Sequence, residues 1–452
     1  MNEQGYPLIS VIIPAYNSGA TVTRAVESVL SQSYPEIEVI VIDDGSSDDT
    51  SDKVRAIAEN DKRVRLIIKP NGGVSAARND GIMAAQGEWF VTLDADDYID
   101  KEMLEALYEA AERTEADTVM CGFRMVFDDG KKTVFKVEDD YTDDSDTFLD
   151  NMLTDLYDLH MISTHSNQLY NTAIVKKNRI FYNEKLAVNE DIDYVLRYLK
   201  YCKTIGVIKG AFLNYVQHGY GESLITTFQT YGVASSLLVL RDCNELLLGI
   251  KASDETFDEM NNRLFLHICS FLGLMYYRSG YSDERKLAEI KELCEKEEFE
   301  DLLEDLRPKG VKAVTAAWLL KNGMYESYHK LCMKLYSSQK MVVTGGNEID
   351  TTPDEPYRML GIYSNINPEH EEAKAEYIKT EKSEKTEADM PNEAIDTDFI
   401  MQALEKSADE SAAHVGHQEK KRLKEPKKDP GSTQVTLEDI LKVREILNEE
   451  NR

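Results

Sequence analysis

Trp89-Phe90-Val91-Thr92-Leu93-Asp94-Ala95-Asp96-Asp97 reads as an apolar strand running out into acids. Successive side chains of an extended chain alternate faces, which predicts Asp94 and Asp96 on one side. Two hard-oxygen ligands so placed suit a divalent cation held against a diphosphate, the need of an enzyme that moves a group from an activated nucleotide. An acidic turn is the other reading of the same residues.

The pattern upstream extends this. Ile9 to Ile13 is an apolar run closed by Pro14-Ala15-Tyr16-Asn17, and Glu38 to Ile42 is a second closed by Asp43-Asp44-Gly45-Ser46. Between them Thr21 to Ser31 carries Val22, Ala25, Val26 and Val29 at helical spacing, and a second helix is expected after Asp49, to about Glu59. Val64 to Ile68 reads as a third strand and Val74 to Ala85 as a third helix. Such alternation predicts an open α/β sheet, in which ligands bind beyond the carboxyl ends of the strands. The polar clusters all fall there.

Each cluster suits a nucleotide. Asp43 or Asp44 can accept the ring N–H of a uracil or thymine, and the Tyr16 ring can pack near base or ribose; a turn with a helix cap is the alternative. Lys69-Pro70-Asn71-Gly72-Gly73 precedes the third helix. Its glycines permit close backbone approach, and Arg78 can offer a phosphate a planar donor fork. A solvated helix residue is the other reading of Arg78.

Four words in this order resemble the family 2 glycosyltransferases, whose catalytic domain has the GT-A fold: Ser10 to Asn17, Glu38 to Asp48, Asn71 to Asn79 and Leu93 to Asp97. The resemblance implies an α/β, GT-A type open mixed sheet flanked by helices. Residues 1–100 would be its nucleotide-sugar-binding half and 101–228 its acceptor-binding half. It places Pro14, Ala15, Tyr16, Asn17, Asp43, Asp44, Asn71, Gly73, Arg78, Asp94 and Ala95 about the donor. Asp94 and Asp96 become the Asp-X-Asp motif for a manganese or magnesium ion, which neutralises charge gathering on the departing diphosphate. Asp97 is expected as a supporting group or an acid near the next helix.

Ser166-Asn167-Gln168-Leu169-Tyr170, then Phe181, then Glu190-Asp191, resemble the second half of the same domain, where an acidic pair opens a helix and holds the general base. By that resemblance Asp191 is the base, with Glu190 beside it. A carboxylate suffices because the sugar hydroxyl acidifies as its new bond forms. Acids set against a helix macrodipole are the structural alternative. His218 lies in a glycine-rich segment that family members close over the diphosphate, so it is a candidate phosphate or metal ligand. His160 and His165 show no ligand spacing and are read as ordinary solvated side chains.

At 452 residues the chain exceeds one domain, and 42% hydrophobic content is ample for a core. A net charge of -31 argues against nucleic acid and against adhesion to an anionic membrane. The six cysteines form no close pair, which fits a reducing cytoplasm rather than a disulfide or zinc framework. No leader is evident, and the apolar stretch Leu264 to Tyr277 is too short to span a bilayer. A cytoplasmic protein is expected, with room for peripheral recruitment to the inner membrane face.

Helices are predicted over Tyr231 to Ile250, Asp254 to Ser279, Asp283 to Leu306, and Val311 to Tyr336 with a break near Gly323. They form a helical extension, 229–340, that is an acceptor platform, a dimer surface or a stabilising addition. Residues 341–452 have the composition of an acidic, largely disordered tail, with short helical islands at Asp398 to Leu404 and Thr436 to Leu447. The islands dock a protein partner, fold back, or form transient helices.

The expectation is an inverting, metal-dependent transferase that moves a sugar from a nucleotide sugar, most simply a UDP-sugar, to a hydroxyl of a glycan, lipid-linked or protein acceptor. Its rivals are a non-catalytic nucleotide-sugar-binding scaffold and a nucleotidyltransferase on a related sheet. The latter is disfavoured because no glycine- and lysine-rich triphosphate loop stands near the start.

Overall fold

Strands β1 (Ile9–Ala15) and β2 (Ile37–Asp43) are buried at every position. Mostly apolar strands do this when helices cover both faces of a parallel sheet, and the buried Ser10 hydroxyl donates to the Glu38 carboxylate at 2.7 Å. The computed structural model describes residues 5–336, except 129, 187, 218–231 and 310. His218 and the tail 341–452 therefore lie outside the described residues. The contacts divide the chain into two units, one of 1–280 and one holding 281–340.

In the first unit α1 (Val22–Leu30) joins β1 to β2, and α2 (Thr50–Asn60) leads on to β3 (Val64–Ile68). From there α3 (Val74–Ala84) returns the chain to β4 (Trp89–Thr92). β1 pairs in parallel with β2 and β4, and β2 with β3, so these strands deliver their carboxyl ends to one edge. Gly81 is what lets α3 sit close to β1: an added Cβ would stand 2.2 Å from Ile12 Cγ2. Gly81→Ala is accordingly expected to lower stability by about 1–3 kcal/mol through overpacking, measurable as a lower denaturant midpoint with an unchanged slope.

The chain continues through β5 (Tyr98–Ile99), α4 (Met103–Thr114), β6 (Thr118–Phe127), β7 (Lys132–Phe135), β8 (Tyr141–Asp144) and α5 (Ser145–Asp158). A 3-10 turn over His165–Asn167 precedes β9 (Gln168–Asn171) and α6 (Thr172–Asn178). Helix α7 (Glu190–Leu199) and strand β10 (Thr204–Gln217) follow. The sheet order is β3-β2-β1-β4-β9-β6-β10-β5, with β7 on β6 and β8 on β10. β9 runs antiparallel to both β4 and β6, which makes the sheet mixed, as expected. The β6–β7 hairpin closes where the Phe127 N–H donates to the Lys131 carbonyl.

Helices α8 (Gly232–Gly249) and α9 (Asp254–Arg278) belong to this same unit, although the sequence reading assigned them to the extension. Leu237, Leu240, Cys243 and Leu247 of α8 are buried. In the second unit the single helix expected over Asp283 to Leu306 is two, α10 (Asp283–Cys294) and α11 (Glu297–Asp305). The break is a buried Lys296 in extended conformation. Helices α12 (Val311–Lys321) and α13 (Tyr325–Tyr336) part at Gly323, whose φ is +68°. Among the described residues no helix is long and apolar enough to cross a membrane.

Candidate functional site

The loops at the strand ends are built on short-range hydrogen bonds. Asn17, at φ +49°, accepts the Ser47 N–H at Oδ1 (2.8 Å), and its own N–H donates to Ser46 Oγ (2.9 Å). This ties the loop after β1 to the loop after β2. Asp43 is buried, with Oδ1 accepting the Ser46 N–H (2.8 Å) and Oδ2 the Ser51 hydroxyl. Asp44, also buried, accepts the N–H groups of Gly72 (2.9 Å) and Gly73 (2.8 Å) and the Lys69 ammonium (3.1 Å). Gly45 has φ +79°, and a Cβ there would meet the Asn71 nitrogen at 2.9 Å, so only glycine fits.

These contacts give Asp43 and Asp44 the turn-forming duty that stood as the alternative reading of this segment: both carboxylates fix the loops. Pro14 and Ala15 are buried at the end of β1, while Tyr16, Asn71 and Gly73 are exposed where a ligand can reach them.

Beyond β4 the expected extended pair is a turn. Leu93 still donates its N–H to the Ile12 carbonyl, but the Asp97 N–H folds back to the Asp94 carbonyl at 3.0 Å. Asp94 and Asp96 thus sit on a turn, half-buried, around a buried Ala95. Asp97 points inward and accepts the Val216 N–H (2.8 Å), linking the turn to β10. Burial, then the nearby Asp94 and Asp96, push the Asp97 carboxyl far above the ordinary range, while its bond to Val216 makes it a structural link.

Arg78, expected to face a phosphate, is only 3% exposed and is committed to carboxylates instead. Its Nη2 donates to both oxygens of Asp94 (3.0 and 3.3 Å), and its Nη1 to Glu190 Oε1 (3.1 Å) and Asp191 Oδ1 (3.0 Å). A guanidinium carries enough donors in a fixed plane to serve all three, and a buried cation is stable only if so paired. The Tyr182 ring lies 5.2 Å beneath the guanidinium and stacks on Tyr194 at 4.0 Å. Beside Arg78, Asn79 accepts the Tyr182 N–H (2.8 Å) and donates to its carbonyl (3.0 Å), locking α3 to the segment before α7. The two halves of the fold therefore meet at adjacent residues of one helix.

His165 corrects the sequence reading outright. It is 2% exposed, with Nδ1 2.8 Å from Asp191 Oδ1 and Nε2 3.9 Å from Asp94 Oδ1. The Tyr170 hydroxyl donates to the His165 carbonyl (2.9 Å) and sets the backbone there. Its only sequence signal was its position immediately before the Ser166-Asn167-Gln168 word. His160, at φ +55°, accepts the Ser163 and Thr164 hydroxyls at its carbonyl, and its ring meets Phe135 edge-on at 5.8 Å.

The electrostatics divide the acid pair. Burial opposes ionisation of Asp191, but the adjacent His165 ring and Arg78 guanidinium outweigh that and hold its carboxyl below the ordinary range. Glu190 goes the other way: burial first, then the Asp191 charge, raise it from 4.5 to about 7. Folded protein thus keeps a proton that the unfolded chain releases as pH rises through that window, so this group's contribution to stability falls as pH rises. Glu190→Gln cannot ionise. Its melting temperature relative to wild type is expected to improve between about pH 5 and about pH 8.

Hard carboxylate oxygens at Asp94 and Asp96 are the donor type for magnesium or manganese. Among the described residues no three His, Cys, Asp or Glu side chains gather into a metal cage. Cations of this class are commonly held by one or two carboxylates plus substrate phosphates. The residues present fit an ion that shares its coordination with a diphosphate.

Residues 10–178 match the sequence model of the family described as Glycosyl transferase family 2. The uncharacterized glycosyltransferase EpsJ of Bacillus subtilis (strain 168) is 40% identical over 117 residues, covering 26% of this chain and 34% of that protein. The putative glycosyltransferase EpsH of the same organism is 26% identical over 267 residues, 58% of this chain and 75% of that protein. The chain thus spans about a third of EpsJ and three quarters of EpsH. Among solved structures, residues 1–349 of S. aureus TarS superpose with a TM-score of 0.55 at 19% identity, covering 73% of this chain and 92% of that one. TarS has also been solved in complex with UDP and with UDP-GlcNAc (TM-scores 0.51 and 0.52). With the sheet order and the four sequence words in agreement, the chain carries a family 2 glycosyltransferase domain of the GT-A fold.

Proposed function

We propose that the chain is an inverting, metal-dependent glycosyltransferase that moves a hexosyl or N-acetylhexosaminyl group from a UDP-sugar to a hydroxyl of a glycan, lipid-linked or protein acceptor. One observation carries this reading: Arg78 brings Asp94, at the end of β4, together with Asp191, at the start of α7. The UDP and UDP-GlcNAc complexes of TarS support the choice of nucleotide. A lipid-linked or surface-glycan acceptor would bring the chain to the inner membrane face.

In this reading individual atoms take the following roles. Arg78 and His165 both approach Oδ1 of Asp191, and no described residue donates to Oδ2, on a side chain that remains 28% exposed. Oδ2 takes the acceptor proton. The acceptor oxygen bonds to the anomeric carbon as the carbon–oxygen bond to the diphosphate breaks, UDP leaves from the opposite face, and the configuration inverts. Asp191 then returns the proton to solvent. Asp94 and Asp96 would hold a magnesium or manganese ion, which would supply positive charge where the diphosphate becomes more negative. Arg78 keeps Asp94 and the base at fixed separation, so little reorganisation is needed during reaction.

The test is a panel of nucleotide sugars scored for metal-dependent protection against thermal unfolding, followed by hydrolysis of the best binder. At about a hundred times Kd a ligand adds about 2.7 kcal/mol, an upward shift readily seen. Asp96→Ala is expected to lose the metal-dependent part of both protection and turnover. If no nucleotide sugar protects, or Asp96→Ala keeps full metal stimulation, the reading fails.

A further inference from the structure

The residue before the acid pair has a conformation and a set of partners that the reaction above does not use. Asn189 stands at φ +65°, ψ +9°, the left-handed region, directly before Glu190. Asparagine at a helix start ordinarily turns its side chain onto the first free N–H groups of its own helix. Here the side chain makes no such bond. Only its carbonyl serves α7, accepting the Asp193 N–H at 3.0 Å.

The amide is spent on two other helices. Asn189 Nδ2 donates to Ser235 Oγ (3.0 Å) and Ser236 Oγ (3.2 Å) of α8, and Oδ1 lies 3.1 Å from His267 Nε2 of α9. Both serine hydroxyls donate onward to the Gly232 carbonyl at 2.9 Å, so each can only accept from Asn189. This fixes the amide with nitrogen toward the serines and oxygen toward the histidine. The oxygen can only accept, so His267 must carry its proton on Nε2. Burial holds the His267 imidazole down to about 4, with His160 adding to the effect, and the ring stays neutral.

The platform beneath the clamp is itself closely packed. Gly232 is approached so closely that an added Cβ would stand 2.4 Å from the Phe271 ring of α9. The other end of α7 is held to the same helix, with Lys200 2.6 Å from Glu245. Helix α7 is therefore suspended from α8 at both ends, and the acid pair sits beside the N-terminal attachment.

We infer that Asn189, clamped by Ser235, Ser236 and His267, is a positioning residue for the acid pair, so that helices α8 and α9 set where Asp191 stands relative to Asp94. The inference rests on the transferase reading for its effect on rate, but the clamp itself is a structural claim that can be read without turnover. Small displacements of a reacting group cost up to about a hundredfold in rate, and a clamp that bears on the base should act on kcat rather than on donor KM.

Two deletions and one rescue variant test it. Asn189→Gly keeps the left-handed backbone without strain and deletes the amide. His267→Leu removes the donor from α9 at a residue remote from the strand-end loops, and His267→Gln can return an N–H near the position of Nε2. Both deletions are expected to lower kcat for hydrolysis of the best-protecting nucleotide sugar about tenfold or more, with donor KM within about twofold, and His267→Gln to recover within about threefold. Amide hydrogen exchange over residues 190–194 is expected to quicken in both deletions while β1 and β2 stay protected. Unchanged kcat together with unchanged exchange in folded Asn189→Gly and His267→Leu overturns the inference. Quickened exchange with unchanged kcat also overturns it, because the clamp then does not reach the base. If wild type turns over no nucleotide sugar, the transferase reading fails by itself, and exchange alone decides whether the clamp holds α7.

Discussion

Asp191→Asn is expected to reduce turnover of the nucleotide sugar by about 10²- to 10⁴-fold, the range for loss of a general base, with donor affinity nearly unchanged. The argument is atomic. Arg78 Nη1 and His165 Nδ1 converge on Oδ1, and an asparagine can keep an oxygen there. Its amide nitrogen then falls where Oδ2 stood and presents a donor to the acceptor hydroxyl. Geometry survives and basicity is lost. Thermal protection by the nucleotide sugar measures the first, and hydrolysis of the same compound measures the second. Turnover within about threefold of wild type would remove Asp191 from the chemistry.

Arg78→Met is expected to be the most damaging single change to stability, by about 3–5 kcal/mol, the range for breaking a buried ion pair by deleting one partner. It strands Asp94, Glu190 and Asp191 around an uncharged side chain and removes the cation above Tyr182. The stranded carboxyls must then take up protons, so their folded values rise. Stability falls as pH rises through that range, and the deficit relative to wild type should be larger at about pH 8 than at about pH 5. Arg78→Lys should recover only part of the loss, because an ammonium cannot span carboxylates on opposite sides with a planar fork. Denaturant unfolding at the two pH values reads all of this. A near-wild-type Arg78→Met would mean that the acids do not depend on one shared cation.

Much of the fold was legible because its strands carry a redundant signal. β1 and β2 are mostly apolar and buried on both faces, and β3 falls where expected, at Val64–Ile68. What failed to show were features set by three-dimensional contact. Nothing at Glu295-Lys296 marks the end of α10, since neither residue is a glycine or proline. Alternation predicted Asp94 and Asp96 on an extended backbone, but Asp97 closes a turn by bonding to Asp94 and β10 at once. The choice of partner by Arg78 depends on three acids from two distant segments, which no local window contains. His165 is the sharpest case, because a histidine's role is set by what packs on it, and its partner Asp191 lies on the far side of α6. Asp191 itself was found through the family's second-half words rather than through spacing. The position of Asn189 in the left-handed region has no sequence mark beyond asparagine's tolerance for it.

The most direct measurement is amide hydrogen exchange of the wild-type chain with and without the best-protecting nucleotide sugar and its metal. Residues 71–80, 94–97 and 189–194 are expected to slow together, because the donor would bind across all three. Slowing confined to the first of these segments, with 189–194 unaffected in the presence of saturating donor and metal, would contradict the convergence of the two halves on one site.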